Sequence, residues 1–272
     1  MSNEKVNTLS ACIITFNEEN NIRRCLDSVT WCDEIVVLDS FSTDKTMEIC
    51  KEYTDQLHQQ EWQGYIHQRN RIRSLAKSKW VLFLDADEEV SVGMREQIRA
   101  ELQRESNDTV GYTFPRLVFY LGKWIKHGEW YPDKKLRLFQ RERGVSGGEE
   151  PHDMVIVDGP VKALDGEIFH YTYDSISHHV AQMNRFSQIS AEAKFKSGKG
   201  FRWFDFLFRP PFRFFKSYVI KCGFLDGWHG MLIASISAFG VQVKYSKVRE
   251  LQWLADERRK EERNAAAGNG ES

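Results

Sequence analysis

Asp85 and Asp87 stand two residues apart directly behind an apolar run, in the order Trp80-Val-Leu-Phe-Leu-Asp85-Ala86-Asp87-Glu88. Alternate side chains of near-extended backbone share a side, so both carboxylates open onto the same space. A hard divalent cation, Mg2+ or Mn2+, keeps several waters and takes one or two protein carboxylates together with the phosphate oxygens of a substrate. The pair suits that task, and a cation held there would neutralise a departing diphosphate. Two aspartates with one residue between them are common; their place behind a buried strand is what singles them out. A second cluster, Gly147-Gly-Glu149-Glu150-Pro-His152-Asp153, is a glycine-opened loop with three acids and a histidine. It reads either as a solvated acidic loop or as the source of a proton acceptor for an attacking hydroxyl.

These groups need elements to bring them together. Residues 9–16 form an apolar run, Ile22, Cys25, Leu26 and Val29 follow at helical spacing, and a second apolar run covers 35–38. The alternation continues with a helix over 43–53, a short strand at 56–59, a helix over 65–76 and a buried strand at 80–84, which argues for a parallel sheet. Ligands of open α/β sheets gather beyond the carboxyl ends of the strands. The polar stretches 15–20, 39–46 and 85–89 all fall there. No Gly-x-Gly-x-x-Gly and no Walker sequence is present, so the glycine-rich phosphate cradles are missing. From 110 to 171 the pattern changes to β-rich pieces (112–119, 135–139, 154–157) with long loops, read as a mixed sheet. An amphipathic helix is expected over 175–196, with Val180, Met183, Ile189 and Ala193 inward.

The 272 residues, 41% hydrophobic and 28% charged, suffice for one large α/β domain with an appended segment. A formal net charge of -1 gives no global field toward nucleic acid, and no nucleic-acid partner is expected. Five cysteines without a Cys-x-x-Cys pair read as reduced, buried thiols. The polar start and the short β-like run behind it do not resemble a signal sequence, so the chain is expected to stay in the cytoplasm. Residues 201–221 interleave aromatic rings with Arg202, Arg209, Arg213, Lys216 and Lys221, opposed only by Asp205. Such a stretch lies at a lipid interface or packs on its own domain, and Pro210 and Pro211 are expected to break it into two short helices. The expected division is a catalytic domain at 7–196, a basic aromatic membrane-facing helical extension at 197–249 and a charged, partly disordered tail at 250–272.

Four motifs in order, Cys12-Ile-Ile-Thr15-Phe16-Asn17-Glu18, Val36-Val-Leu-Asp39-Ser40-Phe-Ser-Thr-Asp44, Gln68-Arg69-Asn70 and Phe83-Leu-Asp85-Ala86-Asp87-Glu88, together resemble glycosyltransferase family 2. The resemblance implies a GT-A fold: α/β, a Rossmann-like, mostly parallel sheet with helices on both faces, here with a C-terminal amphipathic helical extension. It also implies an inverting, metal-dependent hexosyl transfer from a UDP-sugar donor. Thr15, Phe16, Asn17 and Glu18 would line the nucleoside pocket beside Ser40, and Asp39 would read the base, expected to be uracil. Arg69 and Asn70 would lie near the diphosphate or sugar. Asp85, with Ala86 behind it, would contact the ribose or sugar, and Asp87, together with Asp85, would hold the metal. Phe41 stands where the family often has glycine. For Asp44 a turn and helix cap is the preferred reading.

The chain is most similar to the lipopolysaccharide inner-core beta-1,4-glucosyltransferase branch, which implies Asp153 as the base, Glu150 as its competitor and His152 orienting either. Arg137 and Trp130, in a stretch that also resembles this branch, would contact a donor or acceptor phosphate, although Arg137 could equally pair with an acid. His170 is a further candidate contact, with a structural role as the commoner alternative. The implied donor is UDP-glucose and the implied acceptor a heptose on the lipid A core, a lipid-linked glycan. The enzyme would then attach peripherally to the inner face of the bacterial inner membrane. Alternatives are transfer to a polyprenyl-linked or capsular intermediate, and a non-catalytic nucleotide-sugar-binding membrane module.

Overall fold

The computed structural model describes residues 7–104, 108–150 and 152–268, with backbone alone at 152 and 265–268. Two compact units are present. The first comprises 1–126 and 130–172, the second 127–129 and 173–272.

In the first unit, strand and helix alternate as β1 (Leu9–Thr15), α1 (Ile22–Asp27), β2 (Glu34–Asp39), α2 (Thr46–Cys50), β3 (Leu57–Gln59), α3 (Tyr65–Leu75) and β4 (Trp80–Asp85). The strands pair in parallel in the order β3-β2-β1-β4. Successive residues of a strand face opposite sides, and β1 shows the consequence. Leu9, Ala11 and Ile13 pack under Ile22, Cys25 and Leu26 of α1, while Cys12 and Ile14 pack with Ile72 of α3 on the other face. Burial on both faces is why these strands read as unbroken apolar runs.

The rest of the unit is β5 (Glu88–Val90), α4 (Val92–Leu102), β6 (Gly111–Tyr120), β7 (Lys123–Ile125), β8 (Asp133–Gln140), β9 (Gly144–Glu149), β10 (His152–Val157), β11 (Val161–Ala163) and β12 (Ile168–Tyr173). The sheet continues from β4 through β8, β6, β12 and β5, with β7 and β11 alongside β6. β8 is antiparallel to both β4 and β6. Sequence patterning missed α4, whose signal was present: Ser91 Oγ accepts from Met94 N, and Met94 and Ile98 are buried one turn apart. The acidic segment read as a loop is a hairpin of β9 and β10, with Asp153 opposite Gly148.

All five cysteines are free thiols, with Cys12, Cys25 and Cys50 buried. Burial pushes the Cys50 thiol up to about 12 and raises Cys12 and Cys25 as well, so they pack as small apolar groups.

The second unit is helical, with α5 (Ile176–Lys196), α6 (Trp203–Phe215) and α7 (Trp228–Gly268). The buried positions of α5 are His179, Ser187 and Ala191; of the expected inward residues Met183 and Ile189 are half-buried, while Val180 and Ala193 are exposed. Burial and the neighbouring His178 push His179 down to about 4, so it packs uncharged against the ring of Tyr173. Contrary to expectation, α6 passes through Pro210 and Pro211 without breaking. Pro210 is buried and α6 packs along α7, and that burial outweighs the lost backbone bonds. The chain breaks further on, in a wide turn at 216–220 that ends at Cys222 with φ 56. α7 runs through 249 and 250, so the boundary expected there lies inside one helix, and α5 groups with this unit.

Leu82 is fully enclosed in the α1 side of the core. Leu82→Ala is expected to lower stability by about 2–5 kcal/mol, read as a fall in the urea unfolding midpoint.

Candidate active site

At the carboxyl ends of β1 and β2 two loops are stitched together by their own polar groups. Ser40 N donates to Thr15 O at 2.9 Å, Asn17 N to Ser42 Oγ at 2.8 Å, Thr43 N to Asn17 Oδ1 at 2.8 Å, and Glu18 N to Thr46 Oγ1 at 2.8 Å. Asn17 and Phe41 take left-handed backbone, φ 53 and 65. Asparagine does so readily, whereas for phenylalanine the conformation costs about 1–2 kcal/mol. The glycine-like turn is therefore kept, with a ring added. Both Phe16 and Phe41 are exposed, while Thr15 Oγ1 is buried and has no hydrogen-bond partner.

Asp39 is enclosed. Its carboxylate accepts from Ser42 N at 3.0 Å, Ser42 Oγ at 2.5 Å and Gln59 Nε2 at 2.9 Å. Ser40 Oγ accepts from Gln68 Nε2 at 3.1 Å. Asp44 accepts from the backbone and hydroxyl of Thr46 at the start of α2, a turn role as expected, although the helix opens at Thr46 rather than at Ser42 or Thr43.

Beyond β4 the acids and arginines form a continuous chain of ion pairs. Arg69 Nε lies 3.1 Å from Asp153 Oδ2, and its Nη2 donates to Asp85 Oδ1 at 2.8 Å. Arg137 Nη2 donates to Asp85 Oδ2 at 2.9 Å and to Glu88 Oε1 at 2.7 Å. Arg116 lies 3.5 Å from Glu88 and 2.7 Å from Asp133. Glu88 also accepts Asp85 N at 3.1 Å, which fixes the turn between the two aspartates. The Glu88 side chain is 0% exposed, Arg137 4% and Arg69 8%, whereas Asp85 is 24% open. Burial alone would raise Asp85; the charges of Arg69, Arg137, Arg116 and His170 outweigh it and hold the carboxyl well below the usual range.

The expected metal pair is therefore divided. Both oxygens of Asp85 are engaged by guanidinium groups, while Asp87 Oδ2 lies 3.1 Å from His170 Nε2, with Asp87 22% exposed. His170 Nδ1 is buried without a hydrogen-bond partner. A partly open carboxylate oxygen beside an imidazole fits a divalent cation that draws its other ligands from substrate and water. Among the described residues, no group of three or more His, Cys, Asp or Glu is arranged as a complete cage.

Several expected contacts serve other ends. Asn70 exchanges two 2.9 Å hydrogen bonds with the backbone of Ser146, pinning β9 to α3 rather than facing the Asp85 cluster. Glu150 Oε1 accepts Ile66 N at 2.9 Å, capping α3. Gly64, φ 104, makes room for it, because a Cβ there would stand 2.6 Å from that oxygen. Arg137 pairs with acids, the alternative left open in the sequence. Trp130 stacks edge-on against Tyr120. Ala86 is buried in the core. The side chain of His152 lies outside the described residues.

The chain matches the model of glycosyl transferase family 2 over residues 10–163. It belongs to that family, and its fold is GT-A. It is 27% identical to the lipopolysaccharide core biosynthesis glycosyltransferase LpsC of Rhizobium meliloti, across 88% of this chain and 93% of that protein. It is 31% identical to the uncharacterized glycosyltransferase RT0209 of Rickettsia typhi, across 89% and 87%. Among solved structures, the mannosyltransferase PcManGT of Pyrobaculum calidifontis, in complex with GDP-Man and Mn2+, matches in fold, with a TM-score of 0.51 and 14% identity over 87% of each chain.

Removing one partner of a buried ion pair leaves the other uncompensated, so Arg137→Met is expected to cost about 3–5 kcal/mol in urea unfolding. The depressed Asp85 carboxyl contributes stability that is present above the ordinary carboxylate range near pH ~4 and is lost as pH falls toward its folded value. Acidification from neutral pH should therefore lower the urea midpoint less steeply in Asp85→Asn than in the parent.

Proposed function

We propose that this protein transfers a hexose, glucose from UDP-glucose, with inversion onto a membrane-associated glycolipid, the heptose of a lipopolysaccharide inner core. The observation that carries the reading is Arg69, which spans Asp85 at the donor end and Asp153 in the hairpin. Likeness to LpsC over most of both chains supports the choice of acceptor.

In a single displacement the acceptor hydroxyl loses its proton as it attacks the anomeric carbon. Asp153 takes that proton, oriented by Arg69. Glu150 is the weaker candidate because its carboxylate is committed to the first turn of α3. Thr15 and the exposed Phe16 contact the nucleoside together with Asn17 and Glu18. Asp39 reads the base by exchanging one of its Ser42 or Gln59 donors. Asp85 meets the ribose or sugar, still held by Arg137. A Mg2+ or Mn2+ ion held by Asp87, with His170 beside it, would supply charge neutralisation for the leaving diphosphate.

Membrane docking belongs to the second unit. Trp203, Phe204, Leu207, Phe208, Phe212 and Phe215 of α6 are 51–68% exposed, and no helix among the described residues is long and apolar enough to cross a membrane. Each basic residue near an anionic surface contributes about 1 kcal/mol. Here Arg209 pairs with Asp205, and Arg213 and Lys216 pair with Glu129. Among the described residues Arg202 and Lys221 make no ion pair and are left to act on lipid headgroups, so the rings supply most of the attraction, in a monotopic mode at the cytoplasmic face of the inner membrane.

Two measurements test these readings. UDP release from UDP-glucose with Mn2+ and extracted acceptor lipid should fall by about 10²–10⁴-fold in Asp153→Asn, with UDP binding retained, and much less in Glu150→Gln; an equal loss in both would remove Asp153 from the role. Flotation with anionic vesicles should persist at high salt and be lost in a Phe208→Asp, Phe212→Asp double variant. Full release of the parent by salt would reject docking through the rings.

A further inference from the structure

β12 separates two environments. Its residues pair with β5, His170 opposite Glu88, and Tyr171 N donates to Asp87 O at 2.9 Å. Neighbouring strand residues face opposite sides, so His170 meets Asp87 while the Tyr171 ring turns to the other face. There, Arg24 sits over that ring, its guanidinium carbon 3.7 Å from the centroid. This face holds a pocket of about 530 Å3, whose walls include Asn20, Arg23, Arg24, Asp27, Glu89 and Arg95.

The charges in these walls are unevenly engaged. Asp27 accepts the Tyr53 hydroxyl at 2.6 Å and Glu89 accepts the Tyr171 hydroxyl at 2.8 Å, so both acids have donors of their own. Arg23 is held through both terminal nitrogens by Glu52. Arg24 has a single long hydrogen bond, 3.4 Å to Asn21 Oδ1, and no ion pair among the described residues. Arg95 likewise makes no ion pair among them, and its Nε is buried with no hydrogen-bond partner. Two guanidinium forks, one of them pre-oriented by stacking, suit the several oxygens of a phosphoryl group. The volume falls within the range of small-molecule sites and exceeds what a bare anion needs.

We propose that Arg24 and Arg95 form a binding site for a phosphorylated sugar, separate from the pocket at Asp85 and Asp87. The Arg24 guanidinium over Tyr171 and the terminal nitrogens of Arg95 bind the phosphoryl oxygens, and Asn20 and the tyrosine-capped acids line the space for the sugar.

Calorimetric titration of the full chain, with UDP present in excess to fill the donor pocket, tests this with glucose 6-phosphate, glucose and inorganic phosphate. Glucose 6-phosphate is expected to bind at one equivalent, more tightly than inorganic phosphate, and glucose to give no heat. Arg24→Ala and Arg95→Ala should each weaken binding by about tenfold or more, and Arg24→Gln, which keeps most of the side chain's bulk, should weaken it similarly with an unchanged thermal midpoint. No heat from glucose 6-phosphate, equal binding by the variants, or inorganic phosphate binding as tightly would each overturn the proposal. Failure of UDP to bind would count against the donor reading alone, since the dependence on Arg24 and Arg95 is read separately.

Discussion

Three guanidinium groups and four carboxylates share one line, Asp153–Arg69–Asp85–Arg137–Glu88–Arg116–Asp133, most deeply buried at Glu88 and Arg137, and the order of the site rests on it. Taking these charges out of water is costly, and the cost is offset only where each finds an opposite partner in good geometry. Their origins show what the line does. Arg69 comes from α3, Asp85 from β4, Glu88 from β5, Arg116 from β6, Arg137 and Asp133 from β8 and Asp153 from β10. Six elements drawn from residues 65 to 157 are thereby held in one arrangement, and a small shift in any of them would strand a buried charge. Arginine suits this role better than lysine, because its planar fork reaches two carboxylates at once.

Much of the parallel half of the sheet was legible, because strands buried on both faces leave continuous apolar runs and the polar turns between them stand out. The second half was less so. β5, β7 and β11 are only three residues long, too short for periodicity, and the β9–β10 hairpin hides behind glycines and acids that read as a loop. α4 carried a capping serine and apolar residues one turn apart, a signal that was overlooked. Proline misled over α6, since local backbone preference gave way to burial against α7, information that no window of sequence contains.

The site followed the same pattern. Asp85 and Asp87 stand out by residue type and spacing, and Arg69 and Asp153 through the family resemblance; the fold brings Asp85 and Asp153 to one guanidinium. Their partners were harder to read. Nothing local to Asn70 reveals that it will hold Ser146, 76 residues away, nor that Glu150 will cap a helix by binding Ile66, 84 residues earlier. His170 was weighed as a lone histidine, and only the β5–β12 pairing sets it beside Asp87.

That pairing also makes the parity of β12 matter. With His170 turned to Asp87 and Tyr171 turned to Arg24, removal of one residue ahead of them would carry the imidazole to the arginine side and the phenol to the acid side, disabling both faces together. Loss of two residues would restore the alternation, though with different neighbours. Length changes here should thus be tolerated by even steps before odd ones, a constraint that any rearrangement of this part of the chain inherits.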